Sequence, residues 1–179
     1  QTEEQINNER KKQALSRYLL EIDECATQSN AKNKDNNLNH GLTCAQEAVF
    51  QMIEPNHFFT AFLNFSKRIF EGRSYTGTNE SIKGEEFYIS LNEKESPIVQ
   101  SIHNRKAMMC QSYEEDLILP TALLNKLKLS CILVSPIIFH NRVFGLFFLG
   151  NSDNKDFEKA DKKNLDTIVG HLATTFARK

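Results

Sequence analysis

The sequence has no tryptophan, no CxxC pair, no surplus of basic charge and no apolar run long enough to cross a bilayer. Each absence excludes something. With 22 Lys+Arg against 23 Asp+Glu the formal net charge is −1, so the phosphate-neutralising surplus that a general nucleic-acid binder needs is missing. The longest apolar runs are short and strand-like, which excludes a transmembrane helix, and no membrane partner is expected. The first twelve residues are almost wholly polar and carry no secretory signal, so a cytoplasmic setting is expected. The chain opens on Gln1 rather than Met, as a piece of a longer protein would. The four cysteines, Cys25, Cys44, Cys110 and Cys131, are scattered, with no histidine at ligand spacing. Neither a zinc site nor a disulfide framework is expected from them; they read as reduced thiols, mostly buried as small hydrophobes. No metal and no cofactor is expected. Without tryptophan, the 13 phenylalanines read as core filling rather than as the wall of a chromophore pocket.

What is present is ordinary globular material. A chain of this length buries about 70% of its unfolded surface, enough for one core with a helical extension. Residues 1–26 read as a connector helix, with Ile6, Leu15, Tyr18, Leu19, Ile22 and Ala26 mostly at steps of three and four. Residues 27–41 are crowded with Asn, Lys and Asp and read as a loop. Residues 42–179 read as the main domain, completed by the first helix. Within it, Leu42, Ala45, Val49, Met52 and Ile53 stripe a second helix that Pro55 ends.

The run 57–65 is apolar on both parities and reads as a central strand. A strand over 67–74 follows, with Gly72 marking a bulge. Residues 75–84 read as loop, and 86–91 alternate as a half-buried strand with Phe87, Ile89 and Leu91 on one side. Ser96 caps and Pro97 opens a short helix ahead of a short strand over 106–111. Pro120 and Thr121 open another short helix ending near Lys128. Residues 130–139 and 143–150 are apolar strands joined by the polar turn 140–142, a hairpin. A final helix over 157–178 carries Leu165, Ile168, Val169, Leu172 and Phe176. The order α-α-β-β-β-α-β-α-β-β-α predicts an α+β domain of PAS-like architecture. Its core is a central, mostly antiparallel sheet of about five or six strands. The terminal helices and the second helix pack on one face.

The closing segment SCILVSPIIFHNRVFGLFFLGNSDNKDFEKADKKNLDTIVGHLATTFA resembles a GAF domain. An apolar strand contains Pro136, and a one-turn hairpin leads to Val143-Phe144-Gly145. Asn151 follows the strand, and Phe157 and Asp161 stand at the start of the last helix. The resemblance runs over 39–178. Some GAF domains bind cyclic nucleotides through a signature Asn-Lys…Phe-x-x-x-Asp-Glu. Here Ser152 stands in place of the Lys and Lys162 in place of the Glu, which counts against a cyclic nucleotide. Lys155 is the nearby residue that would replace the missing half of a Lys–Asp pair. The segment 86–106 also resembles the GAF-like domain that accompanies HDOD domains in bacterial regulators.

The resemblance implies a ligand held between the sheet and a lid over 113–128. Candidate pocket residues are Phe87, Ile89, Tyr113, Leu123, Leu127, Leu133 and Ser135, with Tyr113 and Ser135 supplying polar groups. It also implies a parallel homodimer through the terminal helices. The interface candidates are Leu15, Leu19, Ile22, Leu172 and Phe176, with Ile22 or Phe176 near a two-fold axis. The implied role is a non-enzymatic sensory or regulatory module of a bacterial signalling protein. It would take a small-molecule ligand or a partner and relay the event to other domains of the same chain. Two alternatives stay open. One is a GAF-fold redox enzyme of the free methionine sulfoxide reductase type, using Cys110 or Cys131. The other is a degenerate GAF domain serving only dimerisation. No histidine stands beside a cysteine in the sequence, as thiol catalysis would need. Glu114, Glu115 and Asp116 are adjacent acids that do not face one point, and His171 reads as a surface or interface residue.

Overall fold

The computed structural model describes residues 2–27, 34–91, 96–111 and 118–177. Helices α1 (Glu3–Thr27) and α2 (Lys34–Ile53) precede strands β1 (His57–Asn64) and β2 (Ile69–Gly77). A 3-10 turn at Gly84–Glu86 leads to β3 (Tyr88–Ser90), helix α3 (Pro97–Asn104) and β4 (Met108–Gln111). Helix α4 (Thr121–Leu127), strands β5 (Leu129–Phe139) and β6 (Arg142–Ser152) and helix α5 (Lys159–Ala177) follow. The sheet has the order β3-β2-β1-β6-β5-β4, with every pairing antiparallel. The doubly apolar runs β1, β5 and β6 are therefore interior strands, covered on both faces.

Strand parity sorts the core into two layers. Phe58, Cys131, Leu133, Ile137, Phe147 and Leu149 pack on one face with Ile22 of α1, Val49 of α2 and Leu165, Ile168 and Leu172 of α5. Phe59, Ala61, Ile132, Val134, Leu146 and Phe148 pack on the other with α3 and α4. The two terminal helices and α2 thus share one face, as their apolar stripes predict. They are also tied by polar contacts: His171 Nε2 of α5 lies 2.9 Å from Asp23 Oδ1 of α1, and Thr175 donates to the same oxygen at 3.2 Å. His171 is therefore a bridge between the terminal helices.

Two elements begin elsewhere than the sequence suggests. Helix α2 starts at Lys34, so residues 34–41 are helical where composition reads as loop. Leu38 extends the Leu42–Ala45–Val49 stripe by one turn and packs on the core, and this contact outweighs the poor helix propensity of the Asn residues. Gly41 lies in that turn because the Phe176 ring crosses it; a Cβ there would collide with the ring. Strand β2 runs on to Gly77. Its bulge falls where Thr60 pairs with Ser74 and Ala61 with Gly72, which leaves Arg73 as the extra residue. The freed guanidinium sits 4.2 Å from the centre of the Phe62 ring.

Candidate functional site

Helix α4 and the sheet face beneath it hold the candidate site. Leu123 and Leu127 point from α4 onto an aromatic floor. Phe59 stacks on Phe87 at 5.0 Å between ring centres, Phe87 meets Phe148 at 5.3 Å, and Phe59 meets Tyr75 at 4.8 Å. Phe87, Ile89, Leu123 and Leu127 are all fully buried within this one cluster. The structure thus brings together four of the seven predicted pocket residues. Tyr113 lies outside the described residues.

Leu133 and Ser135 are corrections. Leu133 packs with the helices on the opposite face, and Ser135, two residues on along β5, shares its parity. Their alternates Ile132 and Val134 belong to the lid-side core. The cause is the period of two along a strand: one step in register moves every side chain to the other face.

A polar node closes the C-terminal end of α4, and it was not among the predicted site residues. His57 opens β1 and is 2% exposed. Its Nε2 stands 3.1 Å from the Leu127 carbonyl oxygen and 3.2 Å from Ser152 Oγ, while Nδ1 is 2.7 Å from the Tyr75 hydroxyl. A carbonyl only accepts, so Nε2 carries the proton and Nδ1 accepts the Tyr75 hydroxyl. Ser152 donates to the same Leu127 oxygen at 2.8 Å, and Asn79 N–H donates to the Tyr75 hydroxyl at 3.3 Å. The terminal carbonyl of α4 is thereby held by β1 and β6 together. Burial pushes the imidazole below its ordinary 6.5, against the Leu127 hydrogen bond, so its neutral form is favoured. A signal was available in the sequence: His57 shares the parity of Phe59 and Ala61, which places it on the lid face.

The neighbouring residues give the GAF-like positions a concrete role. Asn151 Oδ1 accepts the Asn56 N–H at 2.9 Å, and Asn56 Oδ1 accepts the Ser152 N–H at 2.9 Å. This reciprocal pair locks the start of β1 to the end of β6. Lys155 does not complete a pair with Asp161. Its Nζ donates to the Glu54 carbonyl at 2.9 Å, and Asp161 Oδ2 accepts the Glu158 N–H at 2.8 Å as a cap on α5. Lys126 of α4 bridges to Glu86 at 2.7 Å, which holds that carboxyl below its usual range.

A cleft of about 740 Å³ opens beside the node, bordered by His57, Asn79, Ser81, Lys126, Leu127, Lys128, Ser152 and Asp153. It joins solvent to the end of α4.

Cys110 and Cys131 are not brought together at this site. Cys131 lies in the helix-side core with its Sγ donating to the Lys155 carbonyl, and burial pushes the thiol up. Cys110 packs against the lid-side core. Adjacent in the sheet register, the two face away from each other. Among the described residues no three His, Cys, Asp or Glu side chains converge as a metal site would require. Among them, too, no helix is long and apolar enough to cross a membrane.

No family model matches the sequence, and no curated protein matches it. Solved structures do. The GAF domain of an Acinetobacter phosphoenolpyruvate-protein phosphotransferase superposes with a TM-score of 0.67 at 17% identity, covering 99% of this chain and 95% of that one. The GAF domain of a two-component sensor histidine kinase from Bacillus halodurans gives 0.54 at 17% identity, covering 82% and 93%. Free methionine-R-sulfoxide reductase from Neisseria meningitidis, solved with its substrate, gives 0.62 at 10% identity, covering 92% and 90%. The chain has the GAF fold, and solved examples of that fold come from signalling proteins and from an enzyme.

Proposed function

From the GAF fold as premise, we propose that this chain is a sensory module without catalysis of its own. In this reading a small ligand acts on α4, and the sheet passes the change to α1 and α5. The observation that carries it is the two-sided use of β5 and β6. Val134 and Phe148 bear the lid-side core, while the residues just before them, Leu133 and Phe147, bear the core of the terminal helices. A shift of α4 disturbs the core that it shares with Val134, on a strand whose other face carries α5. The His57 node is the latch in this scheme, because it fixes the last carbonyl of α4. The cleft beside it is the way in for the ligand, which would displace Leu123 and Leu127 from the aromatic floor.

The enzyme reading, with Cys110 or Cys131 as the reactive thiol, draws support from one neighbour's activity; against it, Cys131 is buried in the helix-side core with its thiol pushed up, away from the lid side. Hydrogen exchange on Leu123→Ala tests the relay. The variant loosens the lid core, and α5 amides on the far face are expected to exchange faster together with those of α4. Faster exchange confined to α4 would refute the relay.

A further inference from the structure

Cys25 lies in the last turn of α1 and Cys44 in the middle of α2, and their sulfur atoms are 3.8 Å apart. Both residues are partly exposed, so a small oxidant reaches them. No other pair of cysteines is brought together in this way: Cys110 and Cys131 sit in separate cores. We propose that Cys25 and Cys44 are a peroxide-reactive dithiol whose oxidation links α1 covalently to α2.

The chemistry balances with hydrogen peroxide as the two-electron oxidant. The first thiol attacks one peroxide oxygen; the O–O bond breaks, water leaves, and the sulfur becomes a sulfenic acid. The second thiol attacks that sulfur; the S–S bond forms, the S–O bond breaks, and a second water leaves. Two thiols and one peroxide give one disulfide and two waters.

Burial, the Cys25 thiol and the carboxylates of Glu21 and Glu47 push the Cys44 thiol up to about 12. Either thiol can take the first oxygen, and the other, at contact distance, resolves the sulfenic acid. From a contact distance of 3.8 Å the sulfurs need to approach to about 2.05 Å. The link would close the connection between two helices and so remove freedom from the unfolded chain. It would also fix α1, whose residues 3–13 are all exposed, against α2.

The test uses the full chain, reduced, treated with hydrogen peroxide, alkylated, and mapped by mass spectrometry without reductant. A Cys25–Cys44 linked peptide pair within single chains is expected, with Cys110 and Cys131 alkylated. The melting temperature should rise by roughly 5–10 °C and return with dithiothreitol. Cys25→Ala and Cys44→Ala should each abolish the link and the peroxide-dependent rise in melting temperature, and each should leave the remaining thiol open to capture as a sulfenic acid by a dimedone-type probe. Links between chains through Cys25, links through Cys110 or Cys131, or both thiols still alkylatable after peroxide would overturn the proposal.

Discussion

His57 Nδ1 and the Tyr75 hydroxyl are 2.7 Å apart, so a histidine from β1 and a tyrosine from β2 share one proton at the end of the lid helix. The far side of the same imidazole holds the Leu127 carbonyl. Protonation of Nδ1 would turn it from acceptor to donor, so the Tyr75 hydroxyl would have to rotate and accept in its place while a charge is placed in a buried site.

That arrangement predicts an acid-sensitive lid. Burial places the folded His57 below its ordinary 6.5, so the unfolded chain takes up the proton first as the pH falls. The stability contributed by the neutral ring is complete above 6.5 and is lost as the pH drops through the lower folded value. Denaturant midpoints should fall on acidification below 6.5, and His57→Gln should flatten that dependence. An imidazole resonance of His57 titrating at or above 6.5 would contradict the assignment.

Tyr75→Phe keeps the ring beside Phe59 but removes the hydroxyl that serves both Nδ1 and the Asn79 N–H. The cost should be about 1–3 kcal/mol in denaturant melts, because a buried acceptor is left unpaired. Faster exchange of the amides in 121–127 should accompany it. A variant as stable as the parent, with α4 exchange unchanged, would show that the hydroxyl does not hold the lid.

Gly72→Ala tests the bulge. A Cβ at Gly72 would collide with the Gly84 carbonyl oxygen and press on the backbone and Cβ of Phe87. No glycine among the described residues has positive φ, so the cost is steric and not conformational. Backbone atoms cannot rotate aside as a side chain does, and a loss of roughly 1–3 kcal/mol is expected. Phe59→Ala, at a fully buried site in the same layer, should cost about 3–5 kcal/mol. If Gly72→Ala proves neutral, the 84–87 segment is not seated on β2 as described.

Most of the fold was legible because its signals are local and periodic. Ser96 accepts the Ile98 N–H at 3.2 Å and Pro97 follows it, the cap that the dipeptide announces. The hairpin of β5 and β6 is likewise written in two apolar runs around 140–142. The failures came where the deciding contact is distant in sequence. Residues 34–41 are helical because Leu38 and Gly41 meet the core and Phe176, and no window around them contains that fact. The face that Leu133 takes is not legible, because β5 is apolar on both faces and so lacks the alternation that tells one face from the other. His57 draws its partners from 18, 70 and 95 residues away, so only its parity hinted at its place.

The last prediction concerns assembly. Ile22 and Leu172 are fully buried within one chain, so neither lies on a two-fold axis between copies, and Phe176 rests on Gly41. Leu15 and Leu19 are partly buried against the same core. The apolar residues that α1 leaves outward are Leu20, 61% exposed, and Ile6, 38% exposed. They are fourteen positions apart, two heptads, and so share one helix face. Residues 3–13 are all exposed, and a helix that polar gains order from a neighbour. We therefore propose a homodimer that pairs α1 with α1 along the Ile6–Leu20 line. Sedimentation at tens of micromolar should give twice the 20.6 kDa chain mass. Leu20→Glu should return the monomer with its fold intact, whereas Ile22→Ala should lower the melting temperature instead, since Ile22 belongs to the chain's own core. A parent that sediments as a monomer throughout that range would end the dimer reading and leave the outward face of α1 unpaired.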